Sequence, residues 1–219
     1  MIKLIIFDLD GVLVDTEHIH RQSLIDAVKT ITGRRPADYE HLLKIDGQTT
    51  KQKLNLLKHH LTLDDLEVQL IDDQKQQNVI RYLFRGLRSS PDQHETISRL
   101  SEEYTLAIAS NSRKENVITI LNILGITNFF STILSNNDVV NAKPDPEIFI
   151  TAMTAENVSP NETLILEDSE AGKYAAITSG AHVLEIDNLD MVTLTNIQNE
   201  IRKINANNRS ADGRDGIKV

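Results

Sequence analysis

Four short apolar runs, each stopping at polar residues, constrain this 219-residue chain more than any other feature. The first, IKLIIF at 2–7, is followed by Asp8-Leu9-Asp10. The second, TLAIAS at 105–110, leads into the triplet Ser110-Asn111-Ser112. The third, FSTILS at 130–135, precedes NAKPDPEIF with Lys143, and the fourth, TLILED at 163–168, ends in Glu167-Asp168. A fifth run, AHVLEI, spans 181–186. Runs so continuously apolar predict strands covered on both faces, as in a parallel sheet. Segments of helical period and length at 91–103, 113–124, 145–156 and 169–179 alternate with them. That alternation predicts βαβ units, hence an α/β core with helices on both sides of the sheet.

One connection is too long for this scheme. Nearly a hundred residues separate the first two runs, far more than a single crossover helix needs. Within them, EHIHRQSLIDAVKTITG at 17–33 has apolar residues at helical spacing and stops at a glycine. Two further helical stretches are predicted at about 49–60 and 63–85. The economical organisation is a core of 1–15 and 87–204 with an inserted helical domain, or cap, at 16–86. The crossings near 15–17 and 85–89 would then act as hinges. The last segment, 205–219, lacks apolar periodicity and is predicted to be a flexible tail.

Composition narrows the function. With a net charge of −9, the chain is not expected to bind nucleic acid. No apolar run approaches the roughly 20 residues of a membrane span, and the N-terminus turns acidic too soon for a signal peptide. The absence of cysteine excludes disulfides, thiolate zinc sites and thiol nucleophiles. A cytoplasmic monomer without membrane partners is the expectation.

In open α/β sheets, ligands bind beyond the carboxyl ends of the strands. Folding would therefore collect Asp8, Asp10, Ser110, Lys143, Glu167 and Asp168 from four strand ends. Carboxylates suit a hard cation such as Mg²⁺, while lysine, hydroxyl and backbone N–H groups suit phosphoryl oxygens. Alone, each motif has a bland reading. Ser110 and Asn111 could cap a helix, Lys143 could be a surface lysine, and DLDG could be a turn. An EF-hand loop is excluded, because Val12 and Leu13 stand where it needs an acidic or amide residue and then glycine. The glycine signatures of dinucleotide-binding and P-loop proteins are missing.

Taken in order, DLDGVLVDT, SNS, KPDPEIF and LEDSEAG resemble the motifs of the haloacid dehalogenase superfamily of aspartate-nucleophile phosphotransferases. The likeness covers about residues 2–187 and extends to the β-phosphoglucomutase-like sugar phosphatases, which carry a helical cap after the first strand of a Rossmann-like core. It implies Asp8 as nucleophile and Asp10 as the acid that protonates the leaving oxygen and then activates water. It also implies Mg²⁺ on Asp8, the Asp10 backbone carbonyl and Asp168, with Glu167 as a further ligand. Ser110 and the Asn111 backbone amide would bind the phosphoryl group, Lys143 would neutralise it, and Thr16 would position Asp10. His20, the turn Gly47 to Thr50, and Lys75 match cap positions that line the leaving-group pocket.

The expected partner is a small phosphorylated metabolite, a sugar or polyol phosphate. Mutases of this kind carry Gly-x-Ser-Arg in the cap turn to grip the distal phosphate, where this chain has Gly47-Gln48-Thr49-Thr50. Hydrolysis is therefore expected over phosphate transfer between sugar hydroxyls. A phosphoaspartate signalling domain is the alternative from another class, but it has its phosphoacceptor on a later strand and no such insertion.

Overall fold

The computed structural model describes residues 1–43 and 50–212. Two compact units divide them: Met1–Asp15 with Arg88 onwards, and Thr16–Leu87.

The first unit is built on five parallel strands, β1 (Leu4–Phe7), β2 (Thr105–Ala109), β3 (Thr132–Leu134), β4 (Thr163–Glu167) and β5 (His182–Glu185), in the order β3-β2-β1-β4-β5. Leu4 pairs with Thr105 on one side and Thr163 on the other, so β1, β2 and β4 end nearly level. β1 and β4 are completely buried, which explains their unbroken apolar sequence. One face of the sheet, Leu4, Ile6, Ala107, Ala109 and Ile165, packs on Ile148, Phe149, Ala152, Met153, Ala175 and Ala176. Those partners belong to the helices that follow β3 and β4, at Glu147–Ala155 and Glu170–Thr178. Strand alternation sends Ile5, Phe7, Leu106 and Ile108 to the opposite face. The strand order reverses between β1 and β4, which is the topological switch point where such sheets bind ligands.

The second unit contains α1 (Glu17–Thr32), a short helix α2 (Glu40–Leu43), α3 (Thr50–Leu61) and α4 (Asp65–Gly86). Asp64 caps α4 by accepting from Glu67 N, while Glu67 Oε2 accepts from Asp64 N, a reciprocal capping box. Leu24, Val28, Tyr39, Leu57, Leu61 and Ile71 form its core.

The first part of the expected tail is helical. A helix runs Leu194–Asp212, well past residue 205. Ile197, Ile201 and Ile204 recur at helical spacing on its buried side, and the Asn205 side chain accepts from Ile2 N at 3.0 Å. The weakly apolar continuation past Ile204 stays helical. Among the described residues, no helix is long and apolar enough to cross a membrane.

Candidate active site

The mouth of β1 is a tight turn. Leu13 N and Val14 N both donate to Leu9 O, and Gly11 N donates to Val14 O at 2.7 Å. Gly11 adopts φ +89°, and a Cβ there would lie 2.0 Å from Asp168 Oδ2. Only glycine therefore lets the turn lie against the end of β4. Gln93 Nε2 ties the turn to the core through Leu13 O at 2.6 Å.

Asp8 is buried at the centre. Its Oδ1 accepts from Lys143 Nζ at 2.6 Å, and the same ammonium donates to Glu167 Oε2 at 2.6 Å and to Ala109 O at 2.8 Å. The Phe149 ring lies beneath it, 4.7 Å from Nζ to the centroid. Glu167 Oε1 accepts from Ser169 N and Oγ. Gly172 leaves room for that carboxylate, since a Cβ would fall 2.0 Å from Glu167 Cδ.

Ligand oxygens of Asp8, Glu167 and Asp168 lie within 4.8 Å of one another. Burial first, and the Glu167 charge second, push the Asp8 carboxyl well above its usual range; Lys143 works against both. The same two causes push Asp168 up to about 6. Burial alone would pull the Lys143 ammonium down, yet Asp8 and Glu167 raise it above its ordinary value. Three carboxylates thus cluster around one ammonium that bonds only two of them, Asp8 and Glu167. That all-oxygen set with its surplus of negative charge fits a hard divalent cation.

Asp10 stands half-buried at the rim, its Oδ2 accepting from Ser112 Oγ at 2.6 Å. Ser110 is buried, and its Oγ accepts from Ser112 N at 3.0 Å. The Asn111 side chain engages Lys143, donating from Nδ2 to Lys143 O at 3.2 Å and accepting at Oδ1 from Lys143 N at 3.0 Å. The fold therefore collects Asp8, Asp10, Ser110, Asn111, Lys143, Glu167 and Asp168 from the ends of β1, β2, β4 and the segment after β3.

Thr16, His20, Thr50 and Lys75 belong to the helical unit. Thr16 is buried at the start of α1, His20 is half-buried one turn on, and Lys75 is buried on α4 with Nζ 3.0 Å from Thr50 Oγ1. Gly47 lies outside the described residues. Sequence reading assigned no role to Gly11, Gly172, Ser112, Ser169 or Phe149. All five lie within quoted motifs as plain neighbours of the acids or lysine, and only the fold shows which neighbour touches which; Gly172 closes LEDSEAG and Phe149 closes KPDPEIF.

The haloacid dehalogenase-like hydrolase family model matches residues 5–186. The chain belongs to that family. It is 27% identical over 179 residues to a phosphorylated carbohydrates phosphatase of Thermotoga maritima, covering 80% of this chain and 81% of that protein. It is 30% identical over 188 residues to the β-phosphoglucomutase of Bacillus subtilis, covering 81% and 80%. The crystal structure of CbbY from Rhodobacter sphaeroides in complex with phosphate is similar with a TM-score of 0.69 at 26% identity, covering 84% of this chain and 85% of that one.

Proposed function

We propose that this protein hydrolyses a small phosphomonoester, a sugar or polyol phosphate, through a phosphate transiently carried on Asp8. The enzyme class is phosphoric monoester hydrolase. The observation that carries the reading is the buried Asp8 carboxylate, fixed by Lys143 at 2.6 Å within a group of further acids.

An Asp8 oxygen attacks phosphorus and the ester P–O bond breaks. Asp10 gives its proton to the departing oxygen, a task for a carboxyl at the rim where the alcohol leaves. In the second step a water attacks the same phosphorus, Asp10 takes its proton, and the Asp8–phosphorus bond breaks. Inorganic phosphate departs and both aspartates return to their starting states. Ser110 Oγ and the Asn111 N–H hold the transferring oxygens, and Lys143 offsets their charge while orienting Asp8. Ser112 orients Asp10 through the 2.6 Å hydrogen bond. Asp8, Asp168 and the Asp10 carbonyl would hold Mg²⁺, with Glu167 as a further donor, and the bound cation would offset the repulsion between carboxylate and phosphate.

Choice among esters is assigned to the helical unit through His20, Thr50, Lys75 and the turn at Gly47, with Thr16 at its entry positioning Asp10. Hydrolysis is favoured over mutase chemistry because position 50 carries a hydroxyl, whereas a bidentate guanidinium suits the distal phosphate of a bisphosphate.

A panel of phosphomonoesters assayed with chelator and then with restored Mg²⁺ tests this reading. Turnover should vanish and return, and Asp8→Asn should lower it at least about 10²-fold. β-Glucose 1-phosphate supplied with a trace of the 1,6-bisphosphate should give inorganic phosphate faster than glucose 6-phosphate in phosphorus NMR. Near-wild-type turnover by Asp8→Asn would refute the mechanism. Rapid glucose 6-phosphate formation would refute the choice of hydrolysis.

A further inference from the structure

Lys143 has its ammonium fixed inside the site and its main chain fixed from outside it. The outer anchor is one side chain. Asn111 Oδ1 accepts from Lys143 N at 3.0 Å, and Asn111 Nδ2 donates to Lys143 O at 3.2 Å. A carboxamide offers an acceptor and a donor side by side, so it pairs with the N–H and C=O of one residue much as a neighbouring strand would. Asn111 and Lys143 are 32 residues apart in sequence, and this pair joins the end of β2 to the lysine directly.

The rest of the segment has its own fastenings. Asp138 accepts from Ser135 N, Ser135 Oγ and Lys114 Nζ at 2.7–3.0 Å. Glu147 accepts from Val140 N, Asn141 N and Asn141 Nδ2 at 2.8–3.0 Å. These two carboxylates shape residues 135–141 without Asn111. What Asn111 adds is local to Lys143, whose flexible four-carbon stem must deliver its ammonium to Asp8, Glu167 and the Ala109 carbonyl together.

We propose that the Asn111 side chain is a positioning residue for the reaction, pinning the Lys143 main chain so that its ammonium stays on the Asp8 carboxylate. This role rests on the part given to Lys143 above and is distinct from that of the Asn111 backbone N–H, which any residue but proline would supply at 111.

A double-mutant cycle on the full chain tests it, with p-nitrophenyl phosphate and Mg²⁺ as the assay and thermal unfolding as the folding control. Asn111→Ala should lower kcat about 10-fold or more with little change in KM, as expected of a misplaced catalytic group. Lys143→Met should lower kcat about 10²-fold or more. If Asn111 acts through Lys143, the double variant should be no slower than Lys143→Met alone. Asn111→Ser and Lys143→Gln replace any member of the cycle that does not fold. A wild-type kcat for Asn111→Ala, or multiplied losses in the double variant, would overturn the positioning role while leaving the mechanism intact. A wild-type kcat for Lys143→Met would overturn both.

Discussion

In the α/β unit the buried charges sit at strand ends, whereas in the helical unit the buried polar groups lie along a helix interior. Asp8, Lys143 and Glu167 come from distant parts of the sequence; Asp8 and Glu167 meet because β1 and β4 end level, and the segment after β3 brings Lys143 to both. Lys75, Gln76 and Asn78 are buried within a single turn of α4. Ile71, Lys75, Val79 and Leu83 form one buried stripe at steps of four, so Lys75 occupies a position where the periodicity calls for an apolar residue. Asn78 is satisfied within the helical unit, donating to Ser23 O on α1 and accepting from Gln74 and Arg81 on its own helix. On the function proposed above, that difference would separate chemistry from choice: a site assembled from remote strand ends would serve every substrate, while polar groups threaded into one helix could vary without disturbing it.

Two substitutions measure that division most strongly. Asp10→Asn should lower kcat by about 10²–10⁴-fold on every ester, since it removes a general acid and base. Lys75→Met, nearly isosteric in its apolar stripe, should shift the ratio of kcat/KM between esters by about 10-fold. A uniform loss from Lys75→Met across the panel would erase the distinction.

Glycines at positive φ sharpen it next. Gly33 ends α1 at φ +69° with open space around a Cβ, so Gly33→Ala should cost about 1 kcal/mol from left-handed backbone alone. Gly11 has a similar φ, but its Cβ would overlap the Asp168 carboxylate. Gly11→Ala should therefore abolish turnover as well as lower the unfolding midpoint. Equal behaviour of the two variants in both assays would show that the turn at β1 tolerates displacement.

The sequence carried unequal amounts of this information. Strands and their order along the chain were legible because burial on both faces leaves an unbroken apolar run, as at Leu4–Phe7. The acids and Lys143 were legible because each follows such a run. Contacts among them were not. That Asn111 serves Lys143 through its side chain, or that Gly172 makes room for Glu167, depends on how separate strands come to rest side by side. The extension of the last helix through Asn205 was hidden because three isoleucines hold a long polar helix, and their spacing alone gave no endpoint.

The smallest expected effect lies far from the site, on the surface of the α/β unit. Hydrogen bonds from Lys3 and Ser159 hold the Glu162 carboxyl at about 2, against an ordinary value of 4.5. The folded value lies below the unfolded one, so the stabilisation is complete above about pH 4.5 and is lost as pH falls towards 2. Glu162→Gln should slightly lower the unfolding midpoint at neutral pH and make no difference near pH 2. An equal deficit at both pH values would assign the effect to packing instead of charge.

The central claim is that the strand-end cluster carries phosphate on Asp8. Acid-quenching the enzyme during turnover of a phosphomonoester with Mg²⁺, followed by peptide mass spectrometry, tests it directly. Phosphate should be found on Asp8 in the wild type and be missing from that peptide in Asp8→Asn. A wild-type enzyme that turns over rapidly with its phosphate on another residue, or an Asp8→Asn variant that still turns over at the wild-type rate, would contradict the account.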